Sequence, residues 1–112
     1  MLDTASLITA VQPAADRLRT LPESALRRGA AAEGLALARE LAVRAQRLEF
    51  PGRDPLELPD VGVFAVGDQL LVAAHDLAEI VVELDADHEL TDAVGLVHLG
   101  TARIAAAATG KR

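Results

Sequence analysis

Apolar residues recur along most of the chain at alternating steps of three and four, the spacing of a helix with one face in a core. The pattern is densest between Val61 and Leu84, where Val63, Val66, Leu70, Ala73, Leu77, Ile80 and Leu84 form one seam. Asp68, His75, Asp76, Glu79 and Glu83 make a narrow polar strip on the same stretch. Phe64, Leu71, Ala74, Ala78, Val81 and Val82 widen the apolar arc beyond what one neighbouring helix would cover. The same spacing places Leu7, Val11, Ala14 and Leu18 on a first helix, and Leu26, Ala30, Gly34, Leu37, Leu41, Ala45 and Leu48 on a second. A fourth carries Leu90, Val94, Val97, Thr101, Ile104 and Ala108.

Local signals set the boundaries. Asp3 or Thr4 can cap the first helix, and Pro13 removes one of its hydrogen bonds, which predicts a kink or a split there. Thr20-Leu21-Pro22-Glu23 has the form of a capping box and starts the second helix. Glu23 with Arg27 and Glu40 with Arg44 are four-residue pairs in the favourable orientation. Gly34, on the packed face, predicts a close backbone approach. Segment 50–60 holds Pro51, Pro55, Pro59 and Gly52 and reads as the one clear loop, with Leu56 and Leu58 pinning it to an end of the bundle and Asp60 capping the helix that follows. Residues 63–72 admit a second reading, a hairpin turning at Gly67-Asp68, but the three-and-four spacing runs unbroken to Leu84 and favours a helix. Gly110 ends the last helix, with Lys111 and Arg112 at its negative end.

The predicted fold is all-α: an antiparallel four-helix bundle, one domain over residues 1–112, with its first helix interrupted at Pro13 and the others near 21–49, 61–84 and 88–108. The surplus arc of the third helix predicts self-association as a homodimer, with Leu35, Val43, Phe64, Leu71, Ala78 and Val82 as interface positions.

Composition narrows the chemistry. Apolar residues are 51% of the chain and aromatic ones 2%, so the core is expected to be built from Ala, Leu, Val and Ile, with Phe50 and Phe64 as its large fillers. The absence of Cys excludes disulfides, thiol catalysis and Cys-ligated zinc. No apolar run reaches membrane-spanning length and the N-terminus lacks a signal segment, which predicts a cytoplasmic protein with no membrane contact. Residues 1–53 hold eight Arg against six acids (+2), and residues 54–112 hold three basic residues against eleven acids (−8). Oppositely charged faces are therefore expected side by side, within the chain or across a dimer.

Three functions compete. An interaction or scaffolding protein without enzymatic activity or cofactor follows from the surplus apolar arc and the lack of a polar catalytic cluster. A nucleic-acid binder would use Arg17, Arg19, Arg27, Arg28, Arg39, Arg44, Arg47 and Arg53, but these are interleaved with Glu23, Glu33, Glu40 and Glu49, which argues against a continuous basic face. Third, His75, Glu79 and Glu83 are four residues apart on one helical face and could hold a metal with Asp76 nearby, although no Glu-x-x-His unit accompanies them. Val66-Gly67-Asp68-Gln69-Leu70-Leu71, preceded by an Ala/Leu-rich helix, resembles the Gly-Asp-led third helix of the all-α nucleotide pyrophosphohydrolases, the MazG-like group. That resemblance implies an oligomeric helical bundle hydrolysing nucleotides with Mg²⁺, and a metal-ligand role for Asp68. The chain departs from the group's carboxylate pairs, with Ala65 in place of a Glu and Glu33 and Glu40 seven residues apart.

Overall fold

The structure, a computed structural model, describes residues 3–110, and among these it is helical without strands. Helix α1 spans Ala5–Thr20, and the Asp3 side chain accepts the Ala5 N–H at 3.1 Å, the cap expected at this end. Contrary to expectation, α1 is not split at Pro13. Pro13 and Thr9, whose carbonyl loses its donor, both lie on the exposed side, where water can take the missing bond.

A break does occur in the second helix. It begins as α2 (Glu23–Ala25), widens into a π-helical turn (Leu26–Ala30) and continues as α3 (Ala31–Glu49), with Gly29 at φ 149° and ψ −14°. Only glycine holds that conformation without strain. A Cβ at Gly29 would lie 3.3 Å from that of Ala107, and Arg28 donates to the Ala108 carbonyl at 2.6 Å, so the kink is shaped around the end of the last helix. The capping box does not form. Thr20 closes α1, its hydroxyl donating to the Asp16 carbonyl at 3.0 Å; Pro22 takes the cap position, and Glu23 is engaged by Arg27.

Helix α4 spans Val66–Leu84, starting later than the apolar pattern suggests. Gly62, at φ 107°, donates to the Asp60 carboxylate at 3.0 Å, so Asp60 closes a turn at Gly62 instead of capping the helix. Gly67 and Asp68 lie inside the first turn of α4, which removes the hairpin reading. Helix α5 spans Asp87–Thr109 and ends on left-handed Gly110 as expected; Lys111 and Arg112 lie outside the described residues.

The four helices, with α2, the π turn and α3 counted as one, pack compactly. Helix α4 lies mainly against α3 and α1, and α5 mainly against α1, α3 and the π turn, while the α1–α3 and α4–α5 diagonals touch little. This arrangement covers part of the wide apolar arc: Ala74, Ala78 and Val81 are buried in the chain's own core, whereas Val82 and Phe64 are exposed, and Phe50, expected with Phe64 to fill the core, is exposed as well.

Helix directions depart from strict alternation. A Cβ on Gly34, near the start of α3, would meet Val66, the first residue of α4, at 2.8 Å, and the last turns of the same two helices face each other across a groove. Helices α3 and α4 therefore run the same way. Gly67 meets the Ala15 carbonyl near the end of α1, and Gly100 of α5 meets Leu37 of α3, so α1 and α5 run opposite to that pair. The segment 50–65 makes this possible. α3 has 19 residues and is about 28 Å long, a distance this connection can retrace in extended form. Among the described residues, no helix is long and apolar enough to cross a membrane.

Candidate functional site

The returning segment lies along the α3–α4 groove as a strap, not at the end of the bundle as the sequence suggests. Its backbone is held by side chains. The Gln46 amide donates to the Leu56 carbonyl at 3.0 Å and accepts the Leu56 N–H at 2.8 Å, the pairing a neighbouring strand would make. About two turns further back on the same face of α3, Arg39 donates to the Leu58 carbonyl at 2.8 Å and pairs with Glu57 at 3.2 Å. From α4, Gln69 donates to the Pro59 carbonyl at 2.9 Å. Pro55 and Pro59 keep this stretch extended, and Leu58 is half-buried against the core, while Leu56 remains 79% exposed.

Beside the strap the groove stays open, with a volume of about 570 Å³. Ala42 and Ala45 of α3 and Ile80 of α4 form an apolar floor, with Leu56 and Leu58 along one wall. Its rim is acidic: Glu49 from α3, Glu57 from the strap, and Asp76, Glu79 and Glu83 from α4. Glu57 is paired with Arg39, whereas Glu49, Asp76, Glu79 and Glu83 have no ion-pair partner among the described residues. Asp76, Glu79 and Glu83 fall at i, i+3 and i+7, so they line up as like charges on one side of α4.

The positions singled out from the sequence separate. Of the six interface candidates, Leu35 and Ala78 are buried within the chain's own core, Val43 and Leu71 are half-buried, and Phe64 and Val82 are exposed. Asp68, His75, Glu79 and Glu83 are not brought together. Asp68 lies about 16 Å along the helix axis from Glu79, and two nitrogens of Arg19 donate to one of its oxygens, at 2.9 and 2.5 Å, latching α1 to the first turn of α4. Among the described residues no group of three or more His, Cys, Asp or Glu side chains is arranged to hold a metal ion. His75 is exposed outside the groove lining, and His88 and His98 are exposed on α5.

The arginines of the first half are largely occupied. Arg19 binds Asp68, Arg27 binds Glu23, Arg28 holds the Ala108 carbonyl, Arg39 holds the strap, and Arg44 pairs with Glu40 at 3.2 Å. Among the described residues, what stays unneutralised around the groove is negative charge. No protein-family profile, curated protein sequence or solved structure matches the chain.

Reading the sequence alone misses Gln46, Arg39 and Glu49 as parts of one site. The signal was present in weak form: Arg39 and Gln46 stand seven residues apart on the face of α3 opposite its seam, a spacing that puts two hydrogen-bonding side chains in one line. Their partners are backbone groups of a loop, which no residue pattern identifies.

Proposed function

We propose that the chain is a non-enzymatic interaction module whose working surface is the α3–α4 groove, and that its occupant is a segment of a partner protein. The observation that carries this reading is an open groove with an apolar floor, four of whose five rim carboxylates have no ion-pair partner among the described residues. Grooves of this size hold a few large side chains, and apolar anchors inside a polar rim are the usual anatomy of a docking site. The alternative hydrolase would require carboxylates converging on one metal, and Asp68, the residue that suggested it, is tied to Arg19.

The test is selection from a random displayed-peptide library against the full chain, with counter-selection on Ala42→Arg, which places a long side chain in the groove, and on exposed Glu79→Lys, which reverses part of the rim. Peptides retained by the native chain and lost by both variants, with unchanged melting curves, are the expected result. Three results would overturn the reading: no groove-dependent peptide, a homodimer in sedimentation equilibrium that both variants dissolve, or Mg²⁺-dependent turnover of nucleoside triphosphates.

A further inference from the structure

Resting on the reading of the groove as a partner site, we propose that the occupant is a basic amphipathic helix, carrying Lys or Arg at i, i+3 or i+4, and i+7 beside an apolar stripe. Charge complementarity is the first reason. Asp76, Glu79 and Glu83 present a matching row along α4, and Glu49 faces them from the end of α3. On α3, Arg39 and Arg44 are committed to Glu57 and Glu40, and exposed Arg47 is paired with no carboxylate among the described residues and does not line the groove. Neighbouring like charges at i, i+3 and i, i+4 repel one another, so a cationic row arriving alongside relieves a repulsion that the isolated chain retains.

The floor and the strap specify the rest. Ala42 and Ala45 keep the α3 wall low, which lets a helix approach closely and seat one apolar side chain at a time against Ile80. Val72, 60% exposed, continues the Asp76–Glu79–Glu83 face one turn earlier at the same four-three-four spacing and offers a further apolar contact. An extended ligand would need side chains to satisfy its backbone. Gln46 and Arg39 are already spent on Leu56 and Leu58. A helix arrives with its backbone groups paired internally and makes no such demand.

The experiment uses a fluorescent synthetic Lys/Leu amphipathic helix of about five turns (~18 residues), titrated with the full chain by anisotropy. Controls are the same peptide with Glu for Lys, a scrambled peptide of identical composition, and spermine, which has the charge without the side chains. Binding of the Lys/Leu helix alone is expected, weakening about two- to fivefold for each of Asp76→Asn, Glu79→Gln and Glu83→Gln with melting curves no lower than the native one. Spermine should compete at least about tenfold more weakly than the unlabelled helix. The inference is overturned if the scrambled or acidic peptide, or spermine, performs as well, or if the three substitutions together leave the affinity unchanged. Library selection separates the two levels: groove-dependent peptides that are neutral or acidic sink the basic helix and leave the partner site standing, whereas no groove-dependent peptide at all sinks both.

Discussion

The two ends of the α3–α4 contact are built from the same kinds of residue and reach opposite outcomes. At the end where the helices begin, Gly34 removes a side chain and Val66 and Leu18 close onto the backbone of α3. At the end where they finish, Ala42 and Ala45 face Ile80 without a large partner, carboxylates from both helices sit at the rim, and a groove remains. Small residues therefore do not by themselves bring helices together. They do so at Gly34 because β-branched Val66 and buried Leu18 fill the space they leave; beside Ala45 and Ile80, both buried, the flanking Glu49, Asp76, Glu79 and Glu83 stay in water and the groove remains open.

This contrast can be broken most severely in the sealed part. Leu70 is fully buried on α4, and Leu70→Ala is expected to cost about 2–5 kcal/mol, whereas Leu56→Ala on the strap should change stability by less than about 0.5 kcal/mol. Urea denaturation of both variants measures the difference, and comparable losses would mean that the strap belongs to the core. Next in size, Gly34→Ala should destabilise by about 1 kcal/mol, overpacking against Leu18 and Val66 outweighing the gain in helix propensity. Ala42→Leu, placed in the open groove, should not destabilise. If the two variants behaved alike, the ends would not differ in packing.

Gln46→Ala deletes both hydrogen bonds to Leu56 and should cost about 1 kcal/mol. Its sharper readout is faster hydrogen exchange at the Leu56 amide with exchange in α4 unchanged; an unchanged Leu56 rate would show that the strap is held otherwise. The smallest effect has the opposite sign. Neutralising Asp76, Glu79 and Glu83 together should stabilise the chain by about 0.4–1 kcal/mol, since one i, i+3 and one i, i+4 repulsion disappear. A loss of stability would mean that the three carboxylates have cationic partners within the fold.

Much of the helical content was legible from the chain. The seams of α1, α3, α4 and α5, the Glu23–Arg27 and Glu40–Arg44 pairs, the close approach at Gly34 and the Gly110 terminus all depend on neighbours within about two turns or on residue size, and such signals survive in a one-dimensional pattern. The failures share a cause. Thr20 and Glu23 had the composition of a capping box, but Thr20 bonded back into α1 and Glu23 found Arg27. Pro13 did not split α1, its side of the helix facing water, and a break arose at Gly29, where α5 packs. In each case a competing partner decided between two locally permitted states. The groove was less legible still: its acidic α4 row was visible as a polar strip, but nothing local reveals that Glu49, Ala45 and the strap stand opposite it.

By itself, then, the sequence determined that this chain forms amphipathic helices, where most of them run, and that α4 carries more apolar surface than one neighbour can cover. The period of the side chains and the conformational limits of proline and glycine suffice for that. Only the tertiary structure decided that Ala74, Ala78 and Val81 of α4's surplus arc are buried inside the chain while Phe64 and Val82 stay exposed, and that α3 and α4 run in the same direction beneath a returning strap. Helix direction is set by where a connection ends, and burial by which elements meet. Both depend on contacts between residues far apart in the chain, which periodicity does not encode.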